Sequence, residues 1–84
     1  MIVRLYTRPG CHLCETVEDA LRELAGPYPH ELQRIDIDAD PVMTARYSLT
    51  IPVVVVDLRY TLAAQITPEA LAQVLDLASR RRAG

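Results

Sequence analysis

The sequence predicts an α/β fold in which a four-stranded mixed sheet carries helices on both faces. Short β-prone runs alternate with amphipathic helical segments in the order β-α-β-α-β-β-α. The first strand, helix and second strand form a right-handed parallel unit. Four consecutive valines, residues 53–56, are typical of a strand that is covered on both faces. The chain has 84 residues, so we expect one domain over residues 1–84.

The first half of the chain predicts a strand, a helix and a second strand. The run Ile2 to Tyr6 (IVRLY) is β-prone, and the following TRPG is a loop because proline cannot sit in a central ladder. A helix is predicted from Cys11 to Ala25, since apolar residues recur there at helical spacing. Residues 31–38 (ELQRIDID) predict the second strand. The helical stripe consists of Cys14, Val17, Leu21 and Leu24.

The second half begins with a helix start signal. Asp40 is a good N-cap, and Pro41 after it suits the first helical position, so a short helix is expected through about Tyr47. The remaining predictions are a strand over residues 50–56 (TIPVVVV), a turn at 57–59, an antiparallel strand at 60–63 and a last helix opened by Thr67 and Pro68.

Composition narrows the class of protein. The net charge is −2, with nine arginines and no lysine, and this balance carries no electrostatic signal for nucleic acid. No apolar run approaches the ~20 residues needed to span a membrane. The N-terminal residues lack the apolar core of a secretory signal, so we expect a soluble, cytoplasmic protein. Arg80, Arg81 and Arg82 suit the negative end of a last helical turn; a tail that contacts RNA or membrane is the alternative.

The two cysteines of the chain, Cys11 and Cys14, lie at the predicted start of the first helix. Unpaired amides and the helix dipole favour an anion there, so the pKa of Cys11 should fall below its reference of about 8.5. Only a thiolate attacks disulfides. Cys14 lies one turn further, on the apolar stripe, and should be buried. We therefore predict Cys11 as the exposed nucleophile and Cys14 as the resolving thiol.

Two other uses of a C-x-x-C pair fit the sequence less well. A structural disulfide this short closes a tiny loop and constrains the unfolded chain little. A zinc site needs four ligands, and beyond the cysteines only His12 and His30 are candidates, without the second Cys or His pair that such sites use. We therefore predict no metal ligands.

Three motifs together resemble the glutaredoxin and thioredoxin superfamily, and small bacterial glutaredoxin-like proteins in particular. These motifs are YTRPGCHLC after the first strand, DIDADP after the second, and TIPVVVVD. The resemblance covers nearly the whole chain. It implies a thioredoxin-like fold of the glutaredoxin type, βαβ-α-ββα.

The resemblance also implies a substrate-binding role for the segment Thr50-Ile51-Pro52. In that superfamily the residue matching Pro52 is a cis-proline packed opposite the cysteines, and the backbone beside it can pair with an extended substrate. An ordinary trans proline at the start of an edge strand is the alternative.

The sequence departs from the family pattern at two places. Typical glutaredoxins have CPYC, whereas this chain has CHLC. They also carry a Gly-Gly and Asp segment that binds the γ-glutamyl end of glutathione, where this chain reads LAAQITPE. The N-terminus of the last helix at Thr67 can still hold a carboxylate through its free amides.

Two residues near the cysteines have open roles. Arg8 is a candidate for steering an anionic substrate or lowering the pKa of Cys11, or else a solvated loop arginine. A protonated His12 could stabilise the thiolate; a solvated residue of the first turn is the alternative.

These observations predict a thiol–disulfide oxidoreductase that acts on a disulfide-containing protein or a glutathione mixed disulfide. A thiol reductant, either glutathione or a reductase, restores the dithiol. We expect a monomer without cofactor, except for glutathione as a possible reductant. The alternatives are a binding module without catalysis and an iron–sulfur carrier in which Cys11 of each of two chains holds the cluster. Iron analysis of anaerobically purified protein separates the carrier from the enzyme.

Overall fold

The computed structural model describes residues 1–83, without the side chains of residues 82 and 83. The interpretation of Arg82 as a helix-end charge therefore lies outside the described residues. The elements, in chain order, are β1 (Ile2–Thr7), α1 (His12–Leu24), β2 (Glu31–Asp36), a 3-10 turn (Ile37–Ala39), α2 (Pro41–Tyr47), β3 (Val53–Val56), β4 (Tyr60–Ala63) and α3 (Pro68–Ala83).

The four strands form one mixed sheet in the order β2-β1-β3-β4. Strand β1 pairs in parallel with β2 and antiparallel with β3, and β4 returns antiparallel beside β3. The predicted α/β class with a four-stranded mixed sheet is confirmed. No helix among residues 1–83 has both the length and the apolar character required to cross a lipid bilayer.

Helices cover both faces of the sheet, and each face has its own core. The larger core lies between the sheet, α1 and α3, where Leu5, Leu21 and Leu75 are fully buried. The smaller core lies on the α2 side, around Tyr6 and Ile37. The four valines of β3 divide between these two cores, which explains why that strand is apolar at every position.

Two predicted strands are shorter than expected. Strand β2 ends at Asp36 instead of residue 38, because the Asp36 carboxylate accepts the N–H of Asp38 at 2.9 Å and caps the 3-10 turn. Strand β3 begins at Val53 instead of residue 50. Pro52 has no N–H for the ladder, and the N–H groups of Thr50 and Ile51 both donate to the carbonyl of Tyr47.

Candidate functional site

The loop between β1 and α1 sets the position of Cys11. Gly10 has φ +81°, a left-handed conformation that glycine adopts without steric cost. The N–H of Cys11 donates to the carbonyl of Arg8 at 3.3 Å, which closes the loop. Cys11 then has extended backbone angles and forms the N-cap of α1. The predicted helix start is therefore confirmed, with Cys11 as the cap instead of the first helical residue.

The two cysteines differ sharply in their environments. The Sγ atom of Cys11 accepts the backbone N–H of Cys14 at 3.2 Å, as a capping side chain does, and Cys11 is half-buried. Cys14 is 1% exposed and packs on the stripe of α1 with Val17 and Leu21. A disulfide joins the two, whose Cα atoms lie 5.2 Å apart. The pair thus joins a half-buried cysteine to one that is almost completely buried.

Arg8 is paired with a carboxylate. Its Nη2 and Nε atoms donate to Asp38 Oδ1 and Oδ2 at 2.6 and 3.3 Å. The hydrogen bond to Asp38 raises the pKa of Arg8, and the same bond lowers the pKa of Asp38. Neither sequence interpretation of Arg8 included this partner. The parallel pairing of β1 and β2 could have indicated it, because the segments after both strands then meet at one sheet edge.

His12 points into solvent at the first turn of α1. Its side chain is 94% exposed, and its Nδ1 atom lies 3.5 Å from a carboxylate oxygen of Glu15. An interaction between His12 and the thiolate remains a prediction.

The segment Thr50-Ile51-Pro52 lies at the same sheet edge as the cysteine loop, because Tyr6 at the end of β1 pairs with Val53 at the start of β3. The Ile51–Pro52 peptide bond is cis, and Pro52 is buried. The N–H groups of Thr50 and Ile51 are taken by Tyr47, at 2.9 and 3.0 Å. No hydrogen bond among residues 1–83 ends on the carbonyl of Ile51, so this carbonyl is a backbone acceptor available to a substrate.

The segment LAAQITPE, residues 62–69, is hydrogen-bonded to the segment Thr50-Ile51-Pro52. The N–H of Ala64 donates to the carbonyls of Thr50 and Pro52, at 3.1 and 2.9 Å. Ala64 has φ +64°, a conformation that favours glycine. Thr67 caps α3 through a bond from the N–H of Ala70 to its hydroxyl at 3.1 Å.

Two further features of the site were not predicted from the sequence. The rings of Tyr6 and Tyr47 stack with centroids 4.6 Å apart, which joins β1 to α2. A cavity of about 300 Å³ opens beside the cysteine loop; its lining residues are Thr7, Arg8, Pro9, Arg34 and Asp36. Among residues 1–83 no three His, Cys, Asp or Glu side chains are arranged to hold a metal ion.

Comparison with known proteins gives one family and a set of structural neighbours. The family described as Glutaredoxin-like domain (DUF836) matches residues 2–76. The X-ray structure of protein XcR50 from X. campestris is 28% identical, with a TM-score of 0.74 over 89% of this chain and 96% of that one. No curated protein sequence matches the chain.

Two thioredoxins share the fold at lower identity. A mutant thioredoxin from Halobacterium salinarum NRC-1 is 17% identical, with a TM-score of 0.72 over 92% of this chain and 73% of that one. Oxidised thioredoxin O2 from Arabidopsis thaliana is 20% identical, with a TM-score of 0.69 over 90% of this chain and 72% of that one. These likenesses show a thioredoxin fold.

Proposed function

Since the chain belongs to the glutaredoxin-like domain family, we propose that it is a thiol–disulfide oxidoreductase that works through Cys11 and Cys14. One observation carries this proposal. Cys11 is half-buried, and its sulfur accepts a backbone N–H at the start of α1 and is bonded to the sulfur of Cys14, a residue that is almost completely buried. Helix-start amides stabilise a thiolate, so the same geometry favours ionised Cys11 after reduction.

The reaction consists of two thiol–disulfide exchanges. The Cys11 thiolate attacks one sulfur of the substrate disulfide, forms a mixed disulfide and displaces the other sulfur as a thiolate, which takes a proton from water. The Cys14 thiolate then attacks the Cys11 sulfur, which releases the second substrate thiol and leaves the Cys11–Cys14 disulfide. Two electrons pass from the protein to the substrate. A dithiol reductase or two glutathione thiols return them.

The surrounding residues have supporting roles in this proposal. The carbonyl of Ile51 accepts an N–H from an extended substrate segment, with Thr50 and Pro52 forming the wall beside it. Arg8 holds the cysteine loop through Asp38, and a substrate anion would share its guanidinium. His12 lies in solvent one residue from the nucleophile and favours the thiolate when protonated.

We propose a polypeptide disulfide as the preferred substrate, with glutathione mixed disulfides as the weaker one, because the Gly-Gly and Asp residues that bind glutathione in typical glutaredoxins are replaced by LAAQITPE. Reduction of insulin and of a glutathione mixed disulfide should be measured side by side.

We further propose that the protein is a monomer in the cytoplasm, where thiol reductants can return the Cys11–Cys14 disulfide to the dithiol.

Cysteine variants test the chemistry. Cys11→Ser should abolish disulfide reduction, because no thiolate remains to attack. Cys14→Ser should accumulate a mixed disulfide with the substrate, visible by mass spectrometry under non-reducing conditions. The matched control is the double variant, which should form no adduct. Undiminished reduction by Cys11→Ser would refute the assignment.

A further inference from the structure

A second cavity, of about 340 Å³, lies at the opposite end of the sheet from the cysteines. It opens between the start of β1, the turn from β3 to β4 and the last turns of α3. Ile2 and Arg4 line it, whereas the cysteine loop follows Thr7. Strands rise by about 3.3 Å per residue, so the length of β1 separates the two places. The cavity is therefore distinct from the redox site.

Three arginines, Arg4, Arg59 and Arg81, line this cavity. Among the residues that the structure describes, none of the three has a carboxylate within ion-pair distance. Arg4 donates one hydrogen bond, from Nε to Gln33 Oε1 at 3.3 Å, which leaves its terminal nitrogens available. Among the described lining residues one carboxylate is present, that of Asp57, and it accepts the N–H of Ile2 at 2.8 Å.

This arrangement is unusual within the molecule. The protein as a whole is acidic, with a net charge of −2. Apart from Arg46, which lies over the ring of Tyr47, the other arginines with described side chains are paired with carboxylates: Arg8 with Asp38, Arg22 and Arg34 with Glu18, and Arg80 with Asp76. Of the four arginines with described side chains that lack a paired carboxylate, three thus line this cavity. The described lining thus carries three guanidinium groups and one carboxylate, that of Asp57, and a concave site with an excess of positive charge attracts anions.

The rest of the lining is apolar. Val55, Tyr60 and Ala78 contribute to the wall, and Ile2 and Leu58 contribute exposed side chains, which are 44% and 74% accessible. Leu58 has φ +57°, a conformation that is unfavourable for a residue with a Cβ atom and that glycine adopts without this cost. A leucine side chain is thus held at the edge of the cavity at a position whose backbone favours glycine.

We propose that this cavity binds a small organic anion that carries a carboxylate or phosphate group and an apolar portion. Guanidinium groups bind such anions through two parallel hydrogen bonds. The volume lies at the lower end of the range for small-molecule sites, which combine an apolar lining with a few polar groups. Leu58 and Ile2 contact the apolar portion, and the three arginines bind the anionic group.

Phenyl phosphate is a suitable probe, because it joins one ring to one phosphate group. We expect saturable amide chemical-shift changes at residues 2–4, 57–60 and 78–81 in a proton–nitrogen NMR titration. Inorganic phosphate, which lacks the ring, and benzyl alcohol, which lacks the charge, should each bind at least about tenfold more weakly. Added sodium chloride should weaken the binding of phenyl phosphate.

Variants identify the residues responsible. Arg59→Gln and Arg81→Gln should each weaken binding by about tenfold. The matched control is Arg46→Gln, which removes the same charge from an arginine outside the cavity and should leave binding unchanged. Leu58→Gly should weaken binding while the fold becomes more stable, so loss of folding cannot explain the result.

Three results would overturn the proposal. These are shifts that do not saturate, an equal loss of affinity in Arg46→Gln and Arg59→Gln, and equal affinity for inorganic phosphate and phenyl phosphate. Because the titration does not involve the cysteines, its outcome is independent of the redox assignment.

Discussion

At the scale of single residues, the pair of Arg8 and Asp38 anchors the loop that leads to Cys11, the proposed nucleophile. The two side chains bridge the loop after β1 and the 3-10 turn after β2, with a shortest N···O distance of 2.6 Å. Both are partly exposed, at 32% and 44%, so solvent screens their attraction. The two hydrogen bonds nevertheless hold the guanidinium of Arg8 against the carboxylate of Asp38, and Arg8 lies three residues before Cys11.

The pair predicts a specific response to acid. The pKa of Asp38 is lowered below its usual value of 3.8, so its stabilising contribution is complete above that value and is lost as the pH falls through the lowered pKa. The raised pKa of Arg8 keeps the guanidinium charged throughout this range. Asp38→Asn should therefore lower the urea midpoint more at pH 7 than at pH 2.

A second aspartate provides the control for this prediction. Asp19 is exposed on α1, and Asp19→Asn should change the urea midpoint less than Asp38→Asn at pH 7. A difference between wild type and Asp38→Asn that stays the same at both pH values would show that the ion pair does not contribute in the way proposed.

At the scale of elements, the turn between β3 and β4 has a leucine, Leu58, at a position where glycine is favoured. Asp57 and Leu58 have φ of +51° and +57°, as in the tight hairpin turns that Asn-Gly or Asp-Gly sequences favour. The pairing of Val56 with Tyr60 shows that the hairpin forms despite the leucine. The tertiary contacts of β3 thus override the local preference of the turn.

Leu58→Gly should therefore stabilise the protein. Glycine removes the cost of a left-handed backbone at this position, and this gain exceeds the entropic cost of the added glycine by about 0.5–1 kcal/mol in the free energy of unfolding. Such a gain corresponds to a rise in Tm of about 2–8 °C. The matched control is Leu49→Gly: Leu49 is 97% exposed and lies outside the residues with positive φ. This control should not raise Tm, and a Tm of Leu58→Gly at or below that of wild type would contradict the prediction.

At the scale of the whole molecule, a short chain is stabilised by two cores on opposite faces of one sheet. The central strand β1 contributes to both: Val3 and Leu5 face α1 and α3, and Tyr6 faces α2. Residues at either core thus depend on the same strand, and the loop to Cys11 and the segment Thr50-Ile51-Pro52 both adjoin this sheet. Damage at the centre of the sheet should accordingly affect the entire fold.

Leu5→Ala tests this dependence. Leu5 is fully buried, and its truncation should cost about 2–5 kcal/mol in the free energy of unfolding, a large fraction of the roughly 5–15 kcal/mol of a typical domain. Leu13→Ala is the control, because Leu13 is 65% exposed, and its effect should stay within about 0.5 kcal/mol. Equal urea midpoints for the two variants would argue against a core organised around β1.

The sequence alone determined the features that depend on near neighbours in the chain. The caps by Asp40 and Thr67, the start of α1 at the cysteines and the apolar stripe of that helix follow from helical spacing and from bonds between residues two to four apart. The alternation of strands and helices also predicted the mixed sheet. These features are local, and the residue types involved have strong local preferences.

Contacts between residues far apart in the chain depend on the tertiary structure. Arg8 and Asp38 are 30 positions apart, and their contact requires the register of β1 against β2. Arg4, Arg59 and Arg81, which line the second cavity, come from β1, the β3–β4 turn and α3, and nothing in the local sequence indicates that they are neighbours. Strand pairing sets these distances, because residues far apart in the chain become neighbours only when the sheet has formed.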